Sequence, residues 1–179
     1  MQLKAENVSF QYGNNTPLFE NVTLEVNEDE IVGIVAPSGF GKTTLCKILA
    51  GYESPSTGEV TLDGSPLPVV GYHPVQLVFQ HPEKAINPRW KMSQVLSESG
   101  EQDQEILQKI GIQQEWLKRW PSELSGGELQ RFCIARALAS HTRFLIADEM
   151  TTMLDAITQA QIWHAVMEIA KKRKMGIIV

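Results

Sequence analysis

The sequence predicts an α/β domain with a mixed sheet core, an antiparallel β portion and a small inserted helical portion. Three observations predict it. The β-branched run Ile31–Val35 leads through a Gly-bearing loop, Ala36–Thr44, into a helix-like segment, Leu45–Ala50, that stops at Gly51. The segment Val22–Val26 alternates apolar and polar residues as a half-buried strand does. The run Arg143–Ala147, apolar from Phe144 on, reads as a buried strand that ends in two carboxylates, Asp148 and Glu149.

The loop between the first strand and helix organises the rest. Glycines let a backbone curl round an anion with its N–H groups inward, and a helix N-terminus adds partial positive charge. The pattern G-x-x-x-x-G-K-[ST] is met at Gly41, Lys42 and Thr43, whereas its first glycine is Ala36. Lys42 is placed to neutralise outer phosphates and the Thr43 hydroxyl to ligate Mg²⁺. An alanine at position 36 costs ~1 kcal/mol if that backbone needs positive φ.

Composition narrows the classes. The 179 residues suit one domain and carry a formal charge of −5, so no general basic field argues for nucleic acid. Cys46 and Cys133 are far apart, lack metal-ligand spacing and read as buried thiols. The N-terminal Met1–Glu6 lacks the apolar core of a signal peptide, and no apolar run approaches the ~20 residues of a membrane span. A cytosolic chain is expected, reaching a membrane only through a partner.

Taken in order, Leu3–Phe10 and Val22–Val26 predict an antiparallel pair around the punctuation Asn14–Pro17. Tyr12 ends the first strand, where it either stacks on a base or caps the core. The strand Glu59–Leu62 turns back at Asp63-Gly64, a hairpin signal. The run Val75–Phe79 ends at Gln80, whose amide either reaches a site at the sheet edge or merely ends a strand. His73, beside Pro74, reads as surface or structural.

Residues 81–124 change character, with short helices expected at Ser93–Ser99, Gln104–Ile110 and Gln114–Trp120, anchored by Trp90, Trp116 and Trp120. Ser125 is placed as the N-cap of a long helix running from Glu128 to about Ser140. Gly126-Gly127 leaves N–H groups open at that start, and glycine is a costly choice for a cap alone. Asp148 and Glu149 offer a carboxylate for Mg²⁺ and an acid to position water, as nucleotide hydrolysis requires. A turn at Thr151–Asp155 precedes an amphipathic helix from Ala156 to about Lys172, and Gly176–Val179 begins a last strand.

In this order, the Ala36–Thr44 loop, Gln80, Leu124–Arg131 and the Asp148-Glu149 strand resemble the nucleotide-binding domain of ABC (ATP-binding cassette) ATPases, which have a P-loop NTPase fold. Phe79-Gln80 followed by Ile86–Arg89 looks like the ATPase subunits of peptide and nickel importers. The resemblance implies that Tyr12 stacks on adenine and that Ser38, Gly39, Phe40, Gly41, Lys42, Thr43 and Thr44 surround the phosphates of ATP. It implies Thr43, Gln80 and Asp148 around Mg²⁺, and Glu149 as the catalytic residue that polarises water. The signature residues Ser125, Gly126, Gly127, Glu128 and Gln130 would meet ATP held by a second ABC subunit, in a homo- or heterodimer.

Leu154-Asp155 matches the loop linking the two sites, and the helical insertion would receive transmembrane permease subunits. The implied setting is the cytoplasmic face of the cell membrane, with ATP hydrolysis energising peptide or nickel import. Alternatives are a non-transport ABC ATPase, or a domain that binds ATP without efficient turnover. The latter is motivated by the end of the chain. The family's switch histidine and following elements are not found before Val179, so a C-terminally truncated domain is expected.

Overall fold

The computed structural model describes residues 1–13, 16–37, 39–100 and 103–179. The chain divides into two compact units, one of Met1–Leu77, Arg143–Asp148 and Lys174–Val179, the other of Val78–Thr142 and Glu149–Arg173.

The first unit carries an antiparallel sheet in which β1 (Gln2–Phe10) pairs with β2 (Phe19–Asn27) and β4 (Thr57–Leu62), with β5 (Ser65–Pro66) outermost. The alternation of β1 decides its register. Leu3, Ala5, Val8 and Phe10 are buried, and Leu3 stands opposite Val26 and Leu62. The Asp63-Gly64 hairpin forms as expected, with both residues in the left-handed region that a tight strand reversal requires.

A second sheet has the order β3 (Ile31–Val32), β8 (Gly176–Ile178), β7 (Phe144–Ala147) and β6 (Val75–Val78). β8 runs parallel to both β3 and β7, pairing Ile177 with Ile31 and Leu145. Both β7 and β8 are buried throughout, which their continuous apolar runs demand. The run from Ile31 to Val35 departs from the strand expected of it. Only Ile31–Val32 is regular strand, although Ile34 still donates to the carbonyl of Val179 at 2.7 Å. β3 is the outermost strand of this sheet among those described, and beyond it Val35 is 96% exposed.

From this edge the chain enters α1 (Lys42–Leu49), which buries Thr44, Leu45, Cys46, Ile48 and Leu49. It ends as Gly51 predicts, with Tyr52 N–H returning to the carbonyl of Lys47 at 2.8 Å.

The second unit is helical: α2 (Met92–Ser97), α3 (Gln104–Ile110), α4 (Gly126–Ala137) and α5 (Ala156–Arg173). The expected insertion at 81–124 lies inside it. Asp103 caps α3 by accepting from the Glu105 N–H at 2.9 Å, and left-handed Gly111 closes it. The segment Gln114–Lys118 is a 3-10 turn, not the α-helix expected over Gln114–Trp120.

The three tryptophans are not the core anchors expected of them. Trp90 and Trp116 are half-buried, and Trp120 is exposed with the Lys91 ammonium 5.8 Å above its ring. The core is built mainly from smaller apolar side chains instead, from Met92, Val95, Leu107 and Ile110 to Ile134, Ile162 and Val166, with the single ring of Phe132 among them. Indole rings this large fill poorly between helices of six and seven residues, which leave little interior. Arg173 closes the unit by donating to the carbonyl of Leu138 at 2.6 Å and to the Asp103 carboxylate at 3.2 Å.

Candidate nucleotide-phosphate site

In the first unit the Ala36–Thr44 loop ends at Gly41, the N-cap of α1, with φ +84° and no side chain capping the helix. The first N–H groups of α1 therefore have no protein acceptor from a cap, which leaves them as donors to an anion. Gly41 is required twice over. A Cβ there would lie 2.8 Å from Leu18 and 2.9 Å from Phe19 side chains, besides the left-handed backbone. Ala36 is not among the positive-φ residues, so its methyl group causes no backbone strain in place of glycine.

Lys42 donates its ammonium to the carbonyl of Ala36 at 2.9 Å, which closes the loop on its own first residue. Thr43 is exposed, whereas Thr44 is buried. Gly39, with φ +84°, and Phe40 are exposed along the same loop. Ser38 lies outside the described residues. Tyr12 stands beside this helix. Its hydroxyl lies 3.1 Å from that of Thr44, its ring meets Phe10 edge-on, and it is 53% exposed. Tyr12 thus packs against the core aromatic Phe10 while much of it stays exposed, so the two readings of Tyr12 are compatible.

Asp148 follows the buried β7 and is half-buried. It acts electrostatically on α1: burial pushes the Cys46 thiol up to about 12, and the negative charge of Asp148 adds to that rise.

In the second unit, Gln80 donates its side-chain amide to the Glu149 carboxylate at 2.8 Å, and both residues are exposed. Glu149 has φ +52°, a left-handed backbone uncommon for a residue with a Cβ. Its carbonyl accepts from the Thr152 N–H at 3.2 Å and the Thr152 hydroxyl at 3.0 Å. Strained backbone of this kind persists where surrounding contacts over-determine it, and it clusters at functional sites.

α4 begins two residues earlier than expected, at Gly126, and Ser125 is its N-cap. Ser125 Oγ accepts from the Glu128 N–H at 3.3 Å, and the Glu128 carboxylate accepts from the Ser125 N–H at 2.7 Å. That bond chiefly holds the Glu128 carboxyl below the usual range, so Glu128 serves as a charged cap. A Cβ on Gly127 would fall 2.9 Å from Leu154, a close approach that accounts for glycine where a plain cap would not.

Gln130 is a correction. Expected against the nucleotide of a partner, it is fully buried, and its Nε2 donates to the carbonyls of Phe79 at 3.0 Å and Met150 at 2.7 Å. The signal was present in the sequence: Gln130, Cys133, Ile134 and Ala137 fall on one helical stripe, which packs inward. Reasoning from the signature as a unit missed it. The left-handed backbone of Glu149 carried no comparable signal.

Among the described residues no cluster of three or more His, Cys, Asp or Glu could bind a metal alone. Mg²⁺ would take most of its ligands from phosphate and water, with one or two from the protein. No helix of the described residues is long and apolar enough to cross a membrane.

A helix N-terminus under a Lys-bearing glycine loop, beside a strand that ends in an acid, defines a nucleotide-phosphate-binding α/β protein. The family model "ABC transporter" matches residues 19–152. The chain belongs to this family of ATP-binding cassettes, with the fold the sequence predicted. It is 34% identical to the "Probable peptide ABC transporter ATP-binding protein y4tS" of Sinorhizobium fredii, over 89% of this chain and 50% of that protein. It is 33% identical to the "Nickel import system ATP-binding protein NikE" of Staphylococcus aureus, over 89% of this chain and 71% of that one. The chain thus spans about half to seven-tenths of the length of these relatives. Among solved structures, the ATP-binding cassette MJ0796 bound to ADP and Pi superposes with a TM-score of 0.84 at 26% identity, covering 99% of this chain and 86% of that one.

Proposed function

We propose that this chain is the ATP-binding and ATP-hydrolysing part of an import-type ABC transporter. It works with Mg²⁺, a second cassette and permease subunits at the cytoplasmic face of a membrane. The observation that carries this reading is the uncapped N-terminus of α1 beneath Lys42, which offers charge and N–H donors to phosphate. Mg²⁺ neutralises phosphate charge during such a reaction.

The residues of this chain divide the remaining work. Gly39 to Thr44, together with Ser38, surround the phosphates, and Lys42 exchanges the Ala36 carbonyl for their outer oxygens. The hydroxyl of the exposed Thr43 and the carboxylate of Asp148 serve the metal. Tyr12 stacks on adenine. Glu149 orients water, and the amide of Gln80 holds that carboxylate in place. Ser125 to Gly127 offer the start of α4 to nucleotide on a second cassette. The names of the two relatives support a peptide or nickel as cargo.

The test is an equilibrium titration with a fluorescent ATP analogue. Lys42→Ala is expected to weaken binding about tenfold or more, because a charge-assisted contact to phosphate is lost. Equal affinities for the two proteins would refute the site.

A further inference from the structure

Gln130 holds two main chains at once. Its Nε2 donates to the carbonyl of Phe79, the residue before Gln80, and to that of Met150, the residue after Glu149. The side chains of Gln80 and Glu149 then meet at 2.8 Å. Gln130 has no exposed surface, and its Oε1 is buried without a hydrogen-bond partner. An amide buried at the expense of an unsatisfied oxygen is poorly explained by packing, since an apolar side chain of the same length would avoid that cost.

The carbonyl it restrains belongs to Met150, the residue that follows the left-handed Glu149. Other contacts restrain the same turn: Thr152 on the Glu149 carbonyl, and the Trp163 indole donating to the Thr151 hydroxyl at 3.2 Å. Gln130 also ties the main chain of that turn to the main chain of the strand end that carries Gln80. It sits one turn into α4, whose first residues are Gly126 and Gly127.

We propose that Gln130 is a positioning residue for the Gln80–Glu149 pair, linking the start of α4 to the carboxylate that orients water. It touches neither nucleotide nor water, and acts through two carbonyls. This rests on the reading of Glu149 as the water-orienting acid. A shift of α4 moves both main chains together, so engagement of its N-terminus is conveyed to Glu149.

Gln130→Leu and Gln130→Met, both apolar and close in length, remove the two donors together with the unpaired oxygen. In the full chain with ATP and Mg²⁺, each is expected to lower kcat about tenfold with KM for ATP within about twofold. In the same samples, amide hydrogen exchange at Thr152 and Leu154 should accelerate about tenfold or more while ATP affinity holds. A merely structural role would lower the melting temperature and leave kcat alone. Unchanged exchange at Thr152 and Leu154 in either folded variant overturns the proposal, as does faster exchange with unaltered kcat. If the unsubstituted chain shows no turnover, the hydrolase reading fails alone, and the exchange measurement still decides whether Gln130 restrains Glu149.

Discussion

The Lys42 ammonium reaches back six residues to the carbonyl of Ala36 at 2.9 Å, so the cation of the loop also latches it. The latch makes the backbone at position 36 functional even though its side chain departs from the glycine of the motif. Because Ala36 lies outside the left-handed region, glycine there would bring no relief and only loosen the unfolded chain.

Ala36→Gly is therefore expected to leave ATP affinity within about twofold and to lower stability by about 0.4–1 kcal/mol. Urea unfolding and an ATP titration on the two proteins check this together. A clear gain in affinity would mean that the methyl group obstructs the loop.

Gly41→Ala behaves differently. Its φ of +84° and the approach of Leu18 and Phe19 within 2.9 Å leave a Cβ nowhere to go. Stability is expected to fall by about 1–3 kcal/mol, with loss of ATP affinity because the first turn of α1 moves. Thermal unfolding with and without ATP reads both effects.

The two thiols predict an alkaline limit. Burial pushes Cys46 up to about 12 from 9.0, with Asp148 adding to it, and burial pushes Cys133 up to about 11. Below pH 9 both are neutral, folded or unfolded. Above it the unfolded chain ionises while the folded one resists, so this contribution to stability declines as the pH rises toward 11 and 12. Native protein at pH 8 is expected to react with a thiol reagent far more slowly than urea-unfolded protein, since thiolate is the nucleophile. Asp148→Asn should bring the Cys46 titration down, measurable by the pH dependence of its alkylation.

Local chemistry was legible in the sequence, and burial was not. The glycine loop, the Asp63-Gly64 turn and the Ser125 cap are set by residues adjacent in the chain, so their patterns can be recognised directly. Whether Ile31–Val35 lies inside a sheet or at its edge depends on β8, more than 140 residues later by the pairing of Ile31 with Ile177. Nothing near Ile31 reports that. Gln130 reads as part of a polar signature until the helix is wound and the stripe it shares with Cys133 and Ile134 turns inward. The tryptophans misled for a related reason. Size suggests an anchor, but two short helices supply too little interior for three indoles.

The open side of β3 bears on how any of these measurements is made. Ile31 lies in a strand that is outermost among those described, and an outermost strand is the arrangement through which one chain templates strand pairing with another. Such encounters scale with the square of protein concentration, whereas nucleotide capture by a single chain does not. Turnover per molecule that varies with dilution would then mix two associations, the proposed one with a second cassette and one through this edge. A charged residue at Val35 would silence the second and leave the first to be counted alone.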